Sequence, residues 1–220
     1  MVNIYGISKF HIKIFTDAVF GVAITMLAVE LKVPHLGTGT TLLGSGEFGE
    51  IATTFVSYLT TFVILGTYWI TYHAVFNPIR RTTDLMIWLN LSFLMLIAII
   101  PFSIRLMNEY NNQHSFIFYS VIQILTGLVL FLMWKHAMKK QLVIADEKEK
   151  DGKETRLNAT IIQLTYIRTA IIPTAYLVSM AISFIDPDIA TIFPLIIIVP
   201  VSILLRLRYK NHAQLHAQEV

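Results

Sequence analysis

The chain has 220 residues, of which 55% are hydrophobic and 14% are charged. Soluble domains carry about 25% charged residues, so this composition indicates a membrane protein with no separate soluble domain. The net charge of +3 comes from basic residues in short segments between hydrophobic runs, which argues against a nucleic-acid partner. The absence of cysteine excludes disulfides, Cys-ligated zinc and thiol catalysis.

Six hydrophobic segments follow one another along the chain, separated by polar, Gly-rich or charged connections. A helix needs roughly 20 mostly apolar residues to cross the hydrocarbon core of a bilayer. The segments predict an all-α, polytopic integral membrane protein with spans near 12–33, 51–76, 85–107, 116–138, 159–184 and 189–205. We expect residues 1–210 to form one transmembrane domain and residues 211–220 a cytoplasmic tail.

The lysine and arginine residues predict the orientation of these spans. Of the 17 in the chain, 14 fall on the side that holds both termini, and Arg168 falls within the fifth span. Cytoplasmic loops are enriched in these residues, so both termini are expected in the cytoplasm.

The first span carries an acidic residue, Asp17, near its cytoplasmic end. A carboxylate in a spanning helix is costly and usually marks a functional site. A stripe at i, i+4, i+7 and i+11 on one face consists of Ala18, Val22, Thr25 and Val29. A hydroxyl layer between apolar layers suits a narrow ion path, although helix–helix packing also uses small residues and threonine and is the more ordinary explanation of the wheel alone.

The second and third spans offer polar partners for Asp17. Trp69 and His73 are four residues apart on one helix face and both can donate a hydrogen bond. With Asn90 from the third span, they are predicted to form a buried polar knot that joins three helices. Its roles could be helix registry, support of the first helix, or a proton relay through His73.

These residues identify a family resemblance. Residues 15–34, Phe-Thr-Asp-Ala-Val-Phe-Gly-Val-Ala-Ile-Thr-Met-Leu-Ala-Val-Glu-Leu-Lys-Val-Pro, closely resemble the first-helix signature of the endolysosomal potassium channel family (transmembrane protein 175), in its bacterial six-helix branch. The second and third helices of the same family are resembled by three further features: Trp-Ile-Thr-Tyr-His at 69–73, Asn90 and Pro101-Phe.

The resemblance implies a homotetramer of six-helix subunits in a bacterial inner membrane, with a pore lined by helix 1. It implies passive, leak-type conduction of potassium with a weak preference over sodium, with membrane lipid as surroundings, potassium as the permeant ion and no cofactor. The implied pore constriction consists of Val22, Met26 and Val29, and the ion-selectivity layer is Thr25. The implied motif and its hydrogen-bond network comprise Phe15, Thr16, Asp17, Trp69, His73 and Asn90.

The chain departs from the family pattern at three positions. Thr16 replaces the usual serine and keeps the hydroxyl, whereas His11 stands where an arginine is expected. Val22 is smaller than the usual isoleucine or leucine, so a wider constriction and weaker selectivity are expected.

Three other classes of function remain open at this level. A proton-coupled secondary transporter would use Asp17, His73 and Arg168, and a scaffold would carry no transport at all. An intramembrane enzyme needs a cluster of catalytic groups at one depth, and the sequence offers none beyond Asp17 and His73. The protein is therefore not expected to be an enzyme.

Overall fold

The computed structural model describes residues 5–29, 31, 47–110, 112–143 and 159–218. Within these ranges the chain forms six α-helices and no named strand, which confirms the all-α fold. The helices are α1 Lys9–Val29, α2 Glu47–Phe76, α3 Asp84–Tyr110, α4 Gln113–Lys139, α5 Ala159–Ile182 and α6 Pro187–Gln218. Each helix contains most of one predicted span.

Five of the described helical segments are long and apolar enough to cross a membrane. They are Lys9–Val29, Thr54–Phe76, Asp84–Tyr110, Gln113–Lys139 and Ile162–Ile182. The apolar part of α6, Ile189–Leu205, is shorter, and at 1.5 Å per residue it extends about 26 Å. The helix itself continues to Gln218, so much of the expected tail prolongs α6.

Short polar caps mark two of the turns between helices. At the start of α4, the Asn112 side chain accepts a hydrogen bond from the Ser115 N–H at 2.9 Å, and the Ser115 hydroxyl lies 3.4 Å from the Asn112 N–H. At the start of α6, Asp186 Oδ1 accepts from the Ile189 N–H at 3.1 Å, with Pro187 as the first helical residue. These caps satisfy N–H groups that a helix leaves without intrahelical partners.

The packing of α4 against α5 depends on one glycine. An added Cβ at Gly127 in α4 would lie 2.5 Å from Cδ and 3.0 Å from Cγ of Pro173 in α5. Carbon atoms at their optimal separation are about 3.5–4.0 Å apart, so only glycine fits here without a shift of the helices. The two helices therefore approach closely at the kink-prone proline of α5.

An aromatic cluster fixes the position of α1 on the bundle. The rings of Tyr72 in α2 and Phe93 in α3 stack with centroids 5.8 Å apart, and Phe20 of α1 lies 5.9 Å from Phe93. All three side chains are fully buried. The main neighbours of α1 are thus α3 and α2, whereas α4 packs between α3 and α5.

Candidate pore-lining face and its supporting contacts

Helix α1 has two faces with different surroundings. The face that packs on the bundle carries the buried side chains Ile12, Thr16, Phe20, Ala23 and Leu27. Their spacing of three or four residues is the spacing of a single helical stripe. This stripe anchors α1 against its own subunit and thereby determines which residues point away.

The residues of the proposed stripe lie on the opposite face. Val22 is 59% exposed, Met26 is 50% exposed and Val29 is 81% exposed within the subunit. Thr25 and Ala18 are exposed as well. The chain therefore turns this face outward, away from its own helical bundle.

An open apolar groove runs along this exposed face beside α3. Its volume is about 290 Å³, and it is lined by Ala18, Val19, Val22, Ala23, Met26 and Ala98. Alanine side chains form half of the lining, so a neighbouring helix can approach the α1 backbone closely. The exposed face of α1 therefore carries an apolar groove outside the core of the chain.

The hydroxyl of Thr25 is held in one orientation by its own helix. Its Oγ1 lies 3.0 Å from the Gly21 carbonyl oxygen and 2.9 Å from the Val22 carbonyl oxygen, so the hydroxyl proton is directed back to the backbone. A threonine hydroxyl has one donor and two acceptor lone pairs. With the donor committed to the helix, the lone pairs remain for a group beyond the α1 surface.

Asp17 joins α1 to α2 through two hydrogen bonds. Trp69 Nε1 donates to Asp17 Oδ1 at 2.9 Å, and His73 Nε2 lies 3.0 Å from the same oxygen. The Trp69 and His73 rings contact each other edge-on, with centroids 4.6 Å apart. The carboxylate side chain is 43% exposed in the subunit, so this contact lies at the surface of the bundle.

The neighbouring residue, Thr16, makes a separate and fully buried contact. Its hydroxyl donates to the Tyr72 hydroxyl at 3.1 Å and accepts from Asn90 Nδ2 at 3.2 Å. Thr16 and Asn90 are both at least 98% buried. Because Tyr72 belongs to α2 and Asn90 to α3, this contact joins the same three helices that the sequence placed together.

The expected single knot is thus divided between two adjacent residues of α1. Asp17, Trp69 and His73 meet at the exposed side, whereas Asn90 bonds to Thr16 in the core. The reason is geometric: successive helical residues point about 100° apart, so residues 16 and 17 face different neighbours. Burial of the whole group is therefore not observed.

Sequence reasoning also missed some partners. The bond between Thr16 and Tyr72 is not predicted from the sequence, although Tyr72 lies in the Trp-Ile-Thr-Tyr-His segment, three residues after Trp69. Phe15, which was expected to belong to the same network, has a side chain that is 53% exposed and lies outside the core. Within the described part of the chain, no group of three His, Cys, Asp or Glu side chains is arranged to hold a metal ion.

The fold and this site define a class: an integral membrane protein whose first spanning helix is the least buried of the five candidate spans and carries a carboxylate. The model of the family described as endosomal/lysosomal potassium channel TMEM175 matches residues 11–101. A potassium channel of Chamaesiphon minutus is 28% identical over 180 residues, covering 80% of this chain and 84% of that protein. A potassium channel of Streptomyces collinus is 24% identical over 181 residues, covering 80% and 82%.

The fold agrees with a solved structure of this kind. The crystal structure of a lysosomal potassium-selective channel TMEM175 homolog from Chamaesiphon minutus superposes with a TM-score of 0.67 and 24% identity, covering 91% of this chain and 97% of that one. These matches confirm the resemblance read from residues 15–34. The named relatives are channels, a class distinct from enzymes.

Proposed function

We propose that the protein is a passive cation channel that conducts potassium through a pore lined by α1. The observation that carries this proposal is the outward position of Val22, Thr25 and Val29, on the face of α1 opposite its buried stripe. Two relatives that cover four-fifths of the chain are named potassium channels, which supports the choice of ion.

The pore requires more than one copy of the chain, because the exposed face of α1 is open on its own subunit. Four copies around an axis, with the α1 faces turned inward, would enclose a narrow path and cover the groove beside Val22. We therefore place residues 1–210 in a homotetrameric channel domain, in a bacterial inner membrane with both termini in the cytoplasm.

Each layer of the face has a physical role in this arrangement. Rings of Val22, Met26 and Val29 form the apolar constriction, which water leaves readily when the path is narrow. The ring of four Thr25 hydroxyls lies between the Val22 and Val29 rings, and its lone pairs replace part of the water that a potassium ion sheds. Because Val22 is small, the preference for potassium over sodium is expected to be weak.

The polar contacts behind the face keep it aimed at the axis. Thr16 fixes the rotation of α1 through Tyr72 and Asn90, and Asp17 ties the same turn to α2. A rotation of α1 by one residue would turn the Thr25 layer away, and it would leave Thr16 and Asn90 buried without partners. Such unpaired groups are costly in an apolar environment, so the network resists this rotation.

The decisive experiment measures ion flux through purified protein in liposomes, under potassium and then sodium gradients, with reversal potentials in mixed solutions. Thr25→Ala is expected to lower the preference for potassium over sodium. A matched control is Thr174→Ala in α5, where an exposed threonine makes the same bonds to its own helix, at 2.8 and 3.0 Å. An unchanged reversal potential for Thr25→Ala would refute the role of the hydroxyl layer.

A second candidate is a proton-coupled secondary transporter, favoured by the contact of His73 with Asp17 at 3.0 Å. Ionisable residues in spans often form proton relays, and Arg168 lies half-buried in α5. Flux that saturates with potassium and stops without a proton gradient would support this reading. Flux that rises in proportion to the potassium gradient at equal pH would support the channel.

A further inference from the structure

Two lysines of α1 bind the end of α2. Lys9 Nζ donates to the Asn77 carbonyl oxygen at 2.6 Å, and Lys13 Nζ donates to Asn77 Oδ1 at 3.0 Å. Asn77 directly follows Phe76, the last residue of α2, so both ammonium groups lie at the negative end of the α2 dipole. The structure thus holds two positive charges next to one residue.

A backbone contact brings further positive charge to the same end of the bundle. The Arg80 N–H donates to the Leu142 carbonyl oxygen at 3.0 Å, next to the bridge between Ile79 and Val143. The turn after α2 therefore pairs with the turn after α4. We call Lys9 and the two positive charges that act on it, Lys13 and Arg80, the basic cluster. Acidic side chains of the described helices near this end are Asp17 and Asp84.

The lysine pair keeps capacity for an anion. Asn77 takes one of the three N–H donors of each ammonium group, and both lysine side chains are half-buried beside it. Lys9 also lies within electrostatic range of Lys13 and Arg80, whose charges repel it. A negative group between these three side chains would relieve the repulsion and accept charge-assisted hydrogen bonds.

Aromatic side chains place this end of the subunit at the membrane surface. Phe10 is 67% exposed next to Lys9, and Trp88 is 58% exposed one turn into α3. Aromatic residues are enriched at the level of the lipid headgroups, and basic pockets between spans at this level suit acidic headgroups. An anion that reaches the cluster from this position is most readily a lipid phosphate.

We propose that the phosphate of an anionic phospholipid binds between Lys9, Lys13 and Arg80, beside Asn77. Its headgroup would join the start of α1 to the end of α2 at the cytoplasmic surface. The proposal rests on the membrane location of the chain and is independent of conduction, because it is tested by binding alone.

The experiment titrates the full-length, delipidated protein in detergent with phosphatidylglycerol or phosphatidylcholine of the same acyl chains, and counts bound lipids by native mass spectrometry. The wild type is expected to retain more phosphatidylglycerol than phosphatidylcholine. Lys9→Gln with Lys13→Gln is expected to weaken phosphatidylglycerol binding at least tenfold, and Lys9→Arg with Lys13→Arg to preserve it. Arg105→Gln, which removes a charge at the opposite end of α3, is the control and should bind as the wild type does.

Several outcomes would overturn the proposal. Equal retention of the two lipids by the wild type, or unchanged binding by the glutamine pair, would do so. Displacement of the lipid by millimolar inorganic phosphate would assign the site to a soluble anion. If the glutamine pair does not fold, Arg80→Gln with Arg81→Gln tests the same site through exposed side chains, and unchanged phosphatidylglycerol binding there refutes it.

Discussion

Replacement of Gly127 by alanine tests the close approach of α4 and α5. The new Cβ would lie 2.5 Å from Cδ, 3.0 Å from Cγ and 3.2 Å from N of Pro173. The first distance is about 1 Å shorter than an ordinary carbon–carbon contact, and a proline ring cannot swing aside. Overpacking of this kind costs about 1–3 kcal/mol, and we expect the upper end, or a fall in melting temperature of roughly 6–12 °C.

The assay is thermal unfolding of the purified protein in detergent, with Gly66→Ala as the matched control. A Cβ at Gly66 in α2 meets no atom within 4 Å, so the same substitution there should leave stability unchanged or raise it by up to about 1 kcal/mol. Pro173→Ala should recover part of the loss in the Gly127→Ala background. Equal melting temperatures for Gly127→Ala and Gly66→Ala would refute the packing argument.

Three further predictions concern the α1 face. Gly21→Ala adds a methyl group that meets no atom of its own chain within 4 Å, so the unfolding temperature should not fall, and the substitution should lower potassium flux. Full flux would count against α1 at the axis. Val22→Cys introduces the single thiol of the chain, and a water-soluble thiol reagent should then block potassium flux. The control is Leu27→Cys at a buried position, where the same reagent should not block flux. Equal responses of the two variants would contradict the assignment of Val22 to the pore face. Asp17→Asn weakens the bonds to α2 and should reduce the fraction of the proposed tetramer on a sizing column below that of Asp186→Asn, where asparagine still caps α6. A tetramer fraction equal to that of the wild type would speak against that role.

Much of the helical fold could be predicted because each span is a long apolar run between polar breaks. The division of α1 into two faces was also predictable, since the i, i+4, i+7 spacing is a property of the helix alone. The approach of Trp69 and His73 to Asp17 followed the same logic, because two donors four residues apart on α2 can reach one acceptor.

The partner of Asn90 could not be predicted from the sequence. Thr16 and Asp17 are adjacent and both polar, and the choice between them depends on the rotation of α1 against α3. That rotation is fixed by contacts distant in sequence, such as Phe20 against Phe93. The Gly127–Pro173 contact is of the same kind, because the close approach joins residues of two helices and leaves no local pattern.

The Thr25 hydroxyl, which donates to carbonyl oxygens of its own helix, also affects whether the proposed pore admits cations or anions. Since its proton is occupied by the carbonyls of Gly21 and Val22, this layer offers chloride no hydrogen to solvate it. In the proposed assembly, four such oxygens would repel anions while they coordinate cations. Valence discrimination would then arise from fixed dipoles, without a carboxylate ring at that depth.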